Sequence, residues 1–523
     1  MTGSTALTVT DLLLDRAGDE AVGLRFEQQS WTWAQYVQTC AEYAAVLREL
    51  CGPAAAPHVG VLADNVPAFG FLLGAAALSG TVLVGLNPTR RGAALARDAR
   101  VSDCQVVLTE GRHLSALAGV DLGVPVIDLD GPHWARLHAA HRGTELTPVP
   151  AGAQDLMMLI FTSGTSGDPK AVRCTHAKVA GPGRMLAERF SLGAPDTVYV
   201  SMPLFHSNAV MAGWSVGLAA GATVALRRKF SASGFLADVR AFGATYANYV
   251  GTPLSYVLAT PPLPDDADNP LRIAYGNEGA AADLAAFASR FGCHVVDAFG
   301  STEGGVAIVR TPETPAAALG PLPTGVAIVH PDTGLPCPPA EFDVTGAVAN
   351  PDSAIGELVN TSGTGAFAGY YNDPDAEAQR LRAGRYHTGD LAYTDAAGYC
   401  YFAGRTGDWL RVDGENLGAA PIERVLVRHP AIAEAAVYGI ACHVGDAVAA
   451  AVVLAPGATL DVAEFADFLA AQPDLGPKQR PRHLRVLDEL PRTPTFKVLK
   501  RVLAADGLAP TTPIPSRMTR DVR

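Results

Sequence analysis

Leu156-Met157-Met158-Leu159-Ile160-Phe161 runs directly into Thr162-Ser163-Gly164-Thr165-Ser166-Gly167-Asp168-Pro169-Lys170. A short, continuous apolar run bounded by turn residues fits a strand buried on both faces. The switch to Thr, Ser and Gly then ends it in a loop. Small hydroxyl residues and glycines let such a loop fold back tightly and aim backbone N–H groups and hydroxyls at a phosphate chain. Lys170 can reach the same anion. This is not a Walker loop: G-x-x-x-x-G-K-[ST] does not fit, and Ala171 follows the lysine. A strand feeding an anion-binding loop predicts an α/β fold, with Thr162, Ser163, Gly164, Thr165, Ser166, Gly167 and Lys170 as the phosphate site.

Outward from this loop, other strand-like runs alternate with Ala-rich amphipathic stretches. They include His58 to Leu62, Thr81 to Leu86, Gln105 to Thr109, Thr197 to Ser201, Thr223 to Leu226 and His294 to Ala298. That alternation predicts mainly parallel sheets with helices on both faces. Around Gly356 to Val359 and Tyr399 to Phe402 the runs lie closer together, with turns such as Asp395-Ala396-Ala397-Gly398. A small antiparallel, β-barrel-like part is expected there. Arg405 to Gly414 reads as a join, followed by a small α+β unit ending near Gly507. The expected division is a large N-terminal domain of parallel-sheet α/β lobes over 1–404, a C-terminal domain over 405–509, and a disordered tail over 510–523.

The stretch Val66 to Asn87 carries no charge and is long enough to span a bilayer. However, Pro67 opens it and Ser79-Gly80 divides it, so the reading is a buried helix, a turn and a core strand. A peripheral membrane contact is left open.

The 523 residues, 48% of them hydrophobic, suffice for more than one compact domain. Acidic residues outnumber basic ones by 52 to 40, for a formal charge of −12, and the longest basic run is Arg227-Arg228-Lys229. A nucleic-acid partner is therefore not expected. The 8 cysteines are scattered without a C-x-x-C pair, which fits free thiols in a reducing cytoplasm. Asp11, Asp15, Arg16, Asp19 and Glu20 precede any long apolar run, so no signal peptide is expected. The oligomeric state is open, a homodimer being one option.

Six further segments share an order with the phosphate loop. They are Pro203-Leu204-Phe205-His206, Gly276-Asn277-Glu278, Phe299-Gly300-Ser301-Thr302-Glu303, Tyr386-His387-Thr388-Gly389-Asp390, Gly404-Arg405, and Pro491-Arg492-Thr493-Pro494-Thr495-Phe496-Lys497. In order and approximate spacing the set resembles the adenylate-forming superfamily, which includes acyl-CoA synthetases, luciferases and peptide-synthetase adenylation domains. The resemblance covers almost the whole chain. It implies ATP, Mg²⁺ and coenzyme A as the small molecules used, and a carboxylic acid as the substrate activated.

By that resemblance, His206 lies at the mouth of the acyl pocket, Gly276, Asn277 and Glu278 hold adenine, and Phe299, Gly300 and Ser301, in a segment that resembles the Tyr-Gly-x-Thr-Glu motif, also bind the nucleotide. Thr302 bonds the α-phosphate, Glu303 helps hold Mg²⁺, Asp390 binds the ribose hydroxyls, and Arg405 begins the hinge. Lys497 bridges the acid's carboxylate and the α-phosphate. The chemistry accounts for these residue types: a carboxylate attacking a phosphate brings two anions together, and cations must neutralise the charge that builds.

The hinge Arg405-Thr406-Gly407-Asp408, continued by Gly414-Glu415-Asn416, is similar to that of the fatty-acid-transport-protein group, also called very-long-chain acyl-CoA synthetases. That group implies long-chain fatty acids or steroid side-chain carboxylates as substrates. It also implies a rotation that withdraws Lys497 and brings in the Gly414 loop, where a missing Cβ lets backbone approach a thin pantetheine arm. Gly304-Gly305 reads as room for a bulky acyl group.

Four other readings compete. Gly213-Trp214-Ser215-Val216-Gly217 fits the serine-hydrolase pattern G-x-S-x-G, although Ser215 falls inside an apolar stretch, Ala209 to Ala220, that reads as one helix. An acyl-AMP ligase that loads a carrier protein shares every motif, and a luciferase is not excluded by motif. A non-catalytic fatty-acid binder would need none of Lys497, Glu303 and Asp390.

Overall fold

A computed structural model describes residues 7–52, 56–162, 169–331, 333–344, 346, 348–405, 409–412, 415–441, 446–472, 475–493, 498–507 and 511–514. The chain packs as two compact units. The first comprises Met1–Gly304 and Ala366–Gln379, the second Gly305–Gly365 and Arg380–Arg523.

The first unit holds two sheets built on one plan. One runs Val126–Asp128, Cys104–Thr109, His58–Leu62, Val82–Gly85, Leu156–Thr162, Lys170–Thr175; every pair is parallel except the last. The other runs His294–Asp297, Ile273–Asn277, Tyr246–Val250, Thr197–Val200, Thr223–Leu226, Val22–Phe26, Gln29–Thr32, again parallel except at the final hairpin. Parallel strands need cover on both faces, which is why they read as unbroken apolar runs. In both sheets an antiparallel hairpin partner lies next to the last parallel strand. In the first sheet that hairpin flanks the loop expected to bind phosphate: Thr162 pairs with Lys170 and Phe161 with Ala171.

The uncharged stretch forms a helix at Pro67–Ser79, a left-handed turn at Gly80 and a strand at Val82–Gly85. Its helix is buried from Phe69 through Ser79. It packs on the helix Trp33–Cys51, which Thr32 and Gln35 cap reciprocally. The axes approach closely because Gly74 faces Cys40; a Cβ at 74 would lie 2.4 Å from the Cys40 sulfur. Among the described residues no helix is long and apolar enough to cross a membrane.

The expected single helix over Ala209 to Ala220 is divided. Ser207–Ala209 and Ser215–Ala220 are α-helical, and Val210–Trp214 between them winds as a π-helix. Ser215 is fully buried and its hydroxyl donates to the Val179 carbonyl at 2.8 Å. It lies inside a helix, not on the strand-to-helix elbow a nucleophilic serine needs, so the hydrolase reading is set aside.

The second unit begins with an antiparallel sheet in the order Gly320–Pro321, Tyr399–Arg405, Arg385–Thr394, Gly356–Asn360, Val326–Val329, with Leu381–Arg382 also paired to Arg385–Thr394. After the hairpin Trp409–Val412 and Glu415–Gly418 comes a second sheet, Ile432–Ala441, Asp446–Leu454, His483–Leu487, Thr512–Pro513. Helices Ala419–Leu426 and Val462–Ala471 contribute Ile422, Leu426, Phe465 and Leu469 to its core beside Val437, Val448 and Val452. Within the stretch expected to be a disordered tail, Thr512 pairs with Leu484 and Pro513 with His483. An edge strand needs partners on one side only, so even this proline-bearing segment can join the sheet. Residues 508–510 and 515–523 lie outside the described residues.

Candidate active site

In the first unit, three distant segments converge. Lys170 opens its strand with its ammonium 5.4 Å from the centre of the Tyr370 ring. The Tyr370 hydroxyl donates to Glu303 Oε1 at 2.9 Å. Tyr370 is held there by backbone pairing: Val172 and Tyr370 form an antiparallel bridge, and the Tyr371 N–H donates to the Ala171 carbonyl at 2.8 Å.

Glu303 is buried, at 8% exposure, and is anchored a second time through its main chain. Lys178 Nζ donates to the Glu303 carbonyl at 2.9 Å and to the Arg173 carbonyl at 3.3 Å. Lys178 sits in the first turn of the helix His176–Arg189, whose N-cap Thr175 accepts from the Lys178 N–H. Burial lowers the Lys178 ammonium below the usual lysine range, while Cys174 and Glu303 act in the opposite direction. The neighbouring Thr302 hydroxyl lies 2.8 Å from that of Ser207, the residue after His206.

The His206 ring packs 4.5 Å from that of Phe205, and its Nε2 is buried with no hydrogen-bond partner among the described residues. Burial pushes this imidazole down to about 4, so it is neutral near pH 7. Further along, Asn208 donates to the Tyr249 carbonyl at 3.0 Å and accepts from Asn248 at 2.6 Å.

Gly276 and Asn277 end the strand Ile273–Asn277, and Glu278 follows at φ +63°. A non-glycine residue in that region is uncommon. Its carbonyl packs closely on Gly251, where a Cβ would lie 1.8 Å from the carbonyl oxygen. Gly276 likewise admits Tyr249, whose carbonyl would be 2.2 Å from a Cβ at 276. Asp297 ties the region together, accepting from the Tyr249 hydroxyl at 2.8 Å and the Gly279 N–H at 2.9 Å. Phe299, Gly300 and Ser301 follow, after the Ala298 N–H bonds the Gly276 carbonyl at 2.8 Å.

In the second unit, Asp390 and Arg405 face each other across adjacent antiparallel strands, and Arg405 Nε lies 3.0 Å from Asp390 Oδ1. Asp390 is buried at 6% exposure. Its turn is fixed by Thr388, whose hydroxyl accepts from the Asp390 N–H at 2.9 Å and donates to the Leu358 carbonyl at 2.7 Å. Glu357 accepts from the Gly389 N–H at 2.9 Å and pairs with Arg382 and His387.

The Gly304-Gly305 pair has a different cause from the acyl room expected. Gly304 sits at φ +72°, and a Cβ at Gly305 would lie 2.1 Å from the Tyr386 ring. The space beside Gly305 is filled by an aromatic side chain. Ser163, Gly164, Thr165, Ser166, Gly167, Gly414 and Lys497 lie outside the described residues, as does the hinge 406–408.

Sequence reasoning missed Tyr370, Lys178 and Ser207. The only hint was Gly369-Tyr370-Tyr371 in a run of turn residues, and no spacing rule ties residue 370 to residue 303. Among the described residues one other cluster could suit a cation, Asp64, Glu110 and His113. Its carboxylates are already paired, Asp64 with Arg112 at 2.9 Å and Glu110 with Arg228.

Comparison with known proteins identifies the family. The chain belongs to the AMP-binding enzyme family, matching its main model over residues 15–371 and the AMP-binding enzyme C-terminal domain over 421–497. It is 59% identical over 508 residues to the medium/long-chain-fatty-acid–CoA ligase FadD17 of Mycobacterium tuberculosis, covering 97% of this chain and 98% of that protein. It is 46% identical to the steroid-22-oyl-CoA synthetase of Rhodococcus jostii, covering 95% and 90%. The fold matches ATP-bound MatB from Rhodopseudomonas palustris with a TM-score of 0.83 at 23% identity, over 96% of this chain and 99% of that one. These relatives support ATP-dependent acyl-CoA ligase activity, for which ATP and coenzyme A are substrates.

Proposed function

We propose that this chain activates a medium- or long-chain fatty acid, or a steroid side-chain carboxylate, as its acyl-adenylate and transfers the acyl group to coenzyme A. The observation that carries the reading is the convergence in the first unit of Lys170, Thr302 and Glu303, linked through Tyr370 and Ser207.

Each residue then has a charge to manage. Lys170 and the loop before it bind the phosphate chain, Thr302 bonds the α-phosphate, and Lys497 offsets the charge as carboxylate and phosphate approach. Asp390 accepts from the ribose hydroxyls with Arg405 beside it. Adenine lies against the end of the strand Ile273–Asn277, near Phe299. Glu303 offers a buried, oriented carboxylate oxygen, a hard donor suited to Mg²⁺. Glu303 would hold that ion where it could supply neutralising charge to the phosphate chain. His206, neutral and apolar-packed, borders the acyl group. After pyrophosphate leaves, the segment beyond Arg405 exchanges Lys497 for the Gly414 loop, and the domain division 1–404 and 405–509 is proposed on that basis.

The test is acid-dependent formation of AMP and acyl-CoA from ATP, Mg²⁺ and coenzyme A. Medium and long fatty acids, aryl acids and steroid side-chain carboxylates form the panel, with Lys497→Ala as control. Removing one charge-stabilising group costs about 10²–10³ in rate, so acyl-CoA formation should collapse by that factor in the variant. AMP release without acyl-CoA would assign a carrier-protein acceptor instead, and absence of nucleotide turnover with every acid would overturn the reading.

A further inference from the structure

Glu303 is reached from two sides by residues that belong to none of the motifs used above. Tyr370 binds its carboxylate oxygen and Lys178 binds its carbonyl. Tyr370 also presents its ring to Lys170, with the ammonium 5.4 Å from the ring centre. One side chain thus touches both the cation that meets the phosphate chain and the carboxylate assigned to the metal.

We propose that Tyr370 is a positioning residue that couples the two, its ring steadying Lys170 and its hydroxyl orienting Glu303, while Lys178 fixes the main chain from which Glu303 projects. The inference rests on the role of Glu303 in the proposed function.

The physical case has three parts. A carboxylate has two oxygens and several rotamers, and a hydroxyl donated to one oxygen selects which direction the other lone pairs face. An ammonium over an aromatic face is attracted by the ring quadrupole, which favours one position of a flexible lysine. The Lys178 contact works on backbone: its aliphatic stem lies beside Gly304, where a Cβ would be 3.5 Å from Lys178 Cε, and its ammonium reaches two carbonyls that belong to different elements. The backbone on either side of Tyr370 is held, since the Arg173 N–H donates to the Gly369 carbonyl at 3.1 Å and the Tyr371 N–H to the Ala171 carbonyl at 2.8 Å. The Gly369–Tyr371 segment is therefore a strand-like rung beside Lys170–Thr175, which ties Tyr370 by backbone hydrogen bonds to the strand that Lys170 opens.

The two functions of Tyr370 separate by mutation. Tyr370→Phe keeps the ring beneath Lys170 and removes the hydroxyl; Tyr370→Leu removes both. Mn²⁺ binding in the presence of a non-hydrolysable ATP analogue, followed by electron paramagnetic resonance of the full chain, reads the metal without turnover. Loss of a residue that orients a metal ligand lowers metal affinity roughly 10–100-fold, so Tyr370→Phe should weaken Mn²⁺ binding by about ten-fold with affinity for the metal-free analogue unchanged. Tyr370→Leu should weaken both. Lys178→Met should reproduce the metal defect, with Lys178→Arg restoring part of it.

Unchanged Mn²⁺ affinity in Tyr370→Phe, or an equal loss of metal and analogue binding in both Tyr370 variants, would overturn the proposal. Glu303→Gln serves as the separate control. If it leaves Mn²⁺ affinity intact, the assignment of Glu303 has failed; if it abolishes binding while Tyr370→Phe does nothing, only the positioning role has failed.

Discussion

The two units set their key carboxylates by opposite means. In the second, Asp390 meets Arg405 because two neighbouring antiparallel strands place them in register, and a local turn through Thr388 completes the arrangement. In the first, Glu303 depends on Tyr370, 67 residues away, and on Lys178, 125 residues away. Strand register is a short-range device that tolerates little adjustment, since a slip by one residue turns every side chain to the other face. A site assembled from distant segments instead requires the whole α/β packing to be in place first. The second unit's pair should accordingly respond to mutation as a locally held ion pair, and the first unit's as a network of distant segments.

Asp390→Asn tests the local pair most severely. It removes the charge facing Arg405 and the proposed ribose acceptor together. Hydrogen bonds to charged groups contribute about 1.5–3 kcal/mol, so kcat/KM for ATP should fall roughly ten- to hundred-fold. Thermal stability should change far less, because Arg405 retains partial solvent contact. Steady-state kinetics over ATP concentration would measure this. A large loss of stability with unaltered ATP dependence would make the pair structural and break the contrast.

Gly305→Ala comes next. The added Cβ meets the Tyr386 ring at 2.1 Å, and overpacking of this kind typically costs about 1–3 kcal/mol. The expected outcome is a lowered unfolding midpoint with the order of preference among acids unchanged. A variant of normal stability that turns from long to short acids would instead return this position to the acyl pocket.

The smallest expected effect is on pH. His206 is held near 4 in the folded protein by burial, below the 6.5 of a free imidazole. Between those values the unfolded chain binds more protons, so stability rises with pH across that window. It is lost as pH falls from about 6.5 toward 4. His58 and His176 are shifted in the same direction by burial and add to the trend. In His206→Leu, unfolding midpoints measured at pH 7.5 and pH 5 should differ less than in the wild type; an identical difference would show that the imidazole is not the group responsible.

Much of the fold could be read directly from the chain. Buried strands at His58–Leu62, Val82–Gly85, Thr197–Val200 and Thr223–Leu226 were visible because parallel strands covered on both faces must be apolar at every position. The uncharged stretch after Val66 resolved into helix, turn and strand because proline opens a helix readily and glycine takes the left-handed conformation that ends one. The interruption of Ala209 to Ala220 by a π-helical segment was not visible, since hydrophobic periodicity does not distinguish one extra residue per turn over so short a span. Nor was the cause of Gly305, because a glycine required by a neighbouring ring has the same letter as one that leaves a pocket open.

By itself, then, the sequence determined the family and named the charged residues to look for, because the chemistry of joining two anions leaves few residue types able to do the work. Tertiary structure alone decided that Tyr370 stands between Lys170 and Glu303, that Lys178 holds the Glu303 main chain, and that Tyr386 fills the space beside Gly305. The physical reason is range. Capping, turn and strand signals act over a few residues and are written locally. Contacts across 67 and 125 residues arise only when folded elements bring segments together that have no pattern in common.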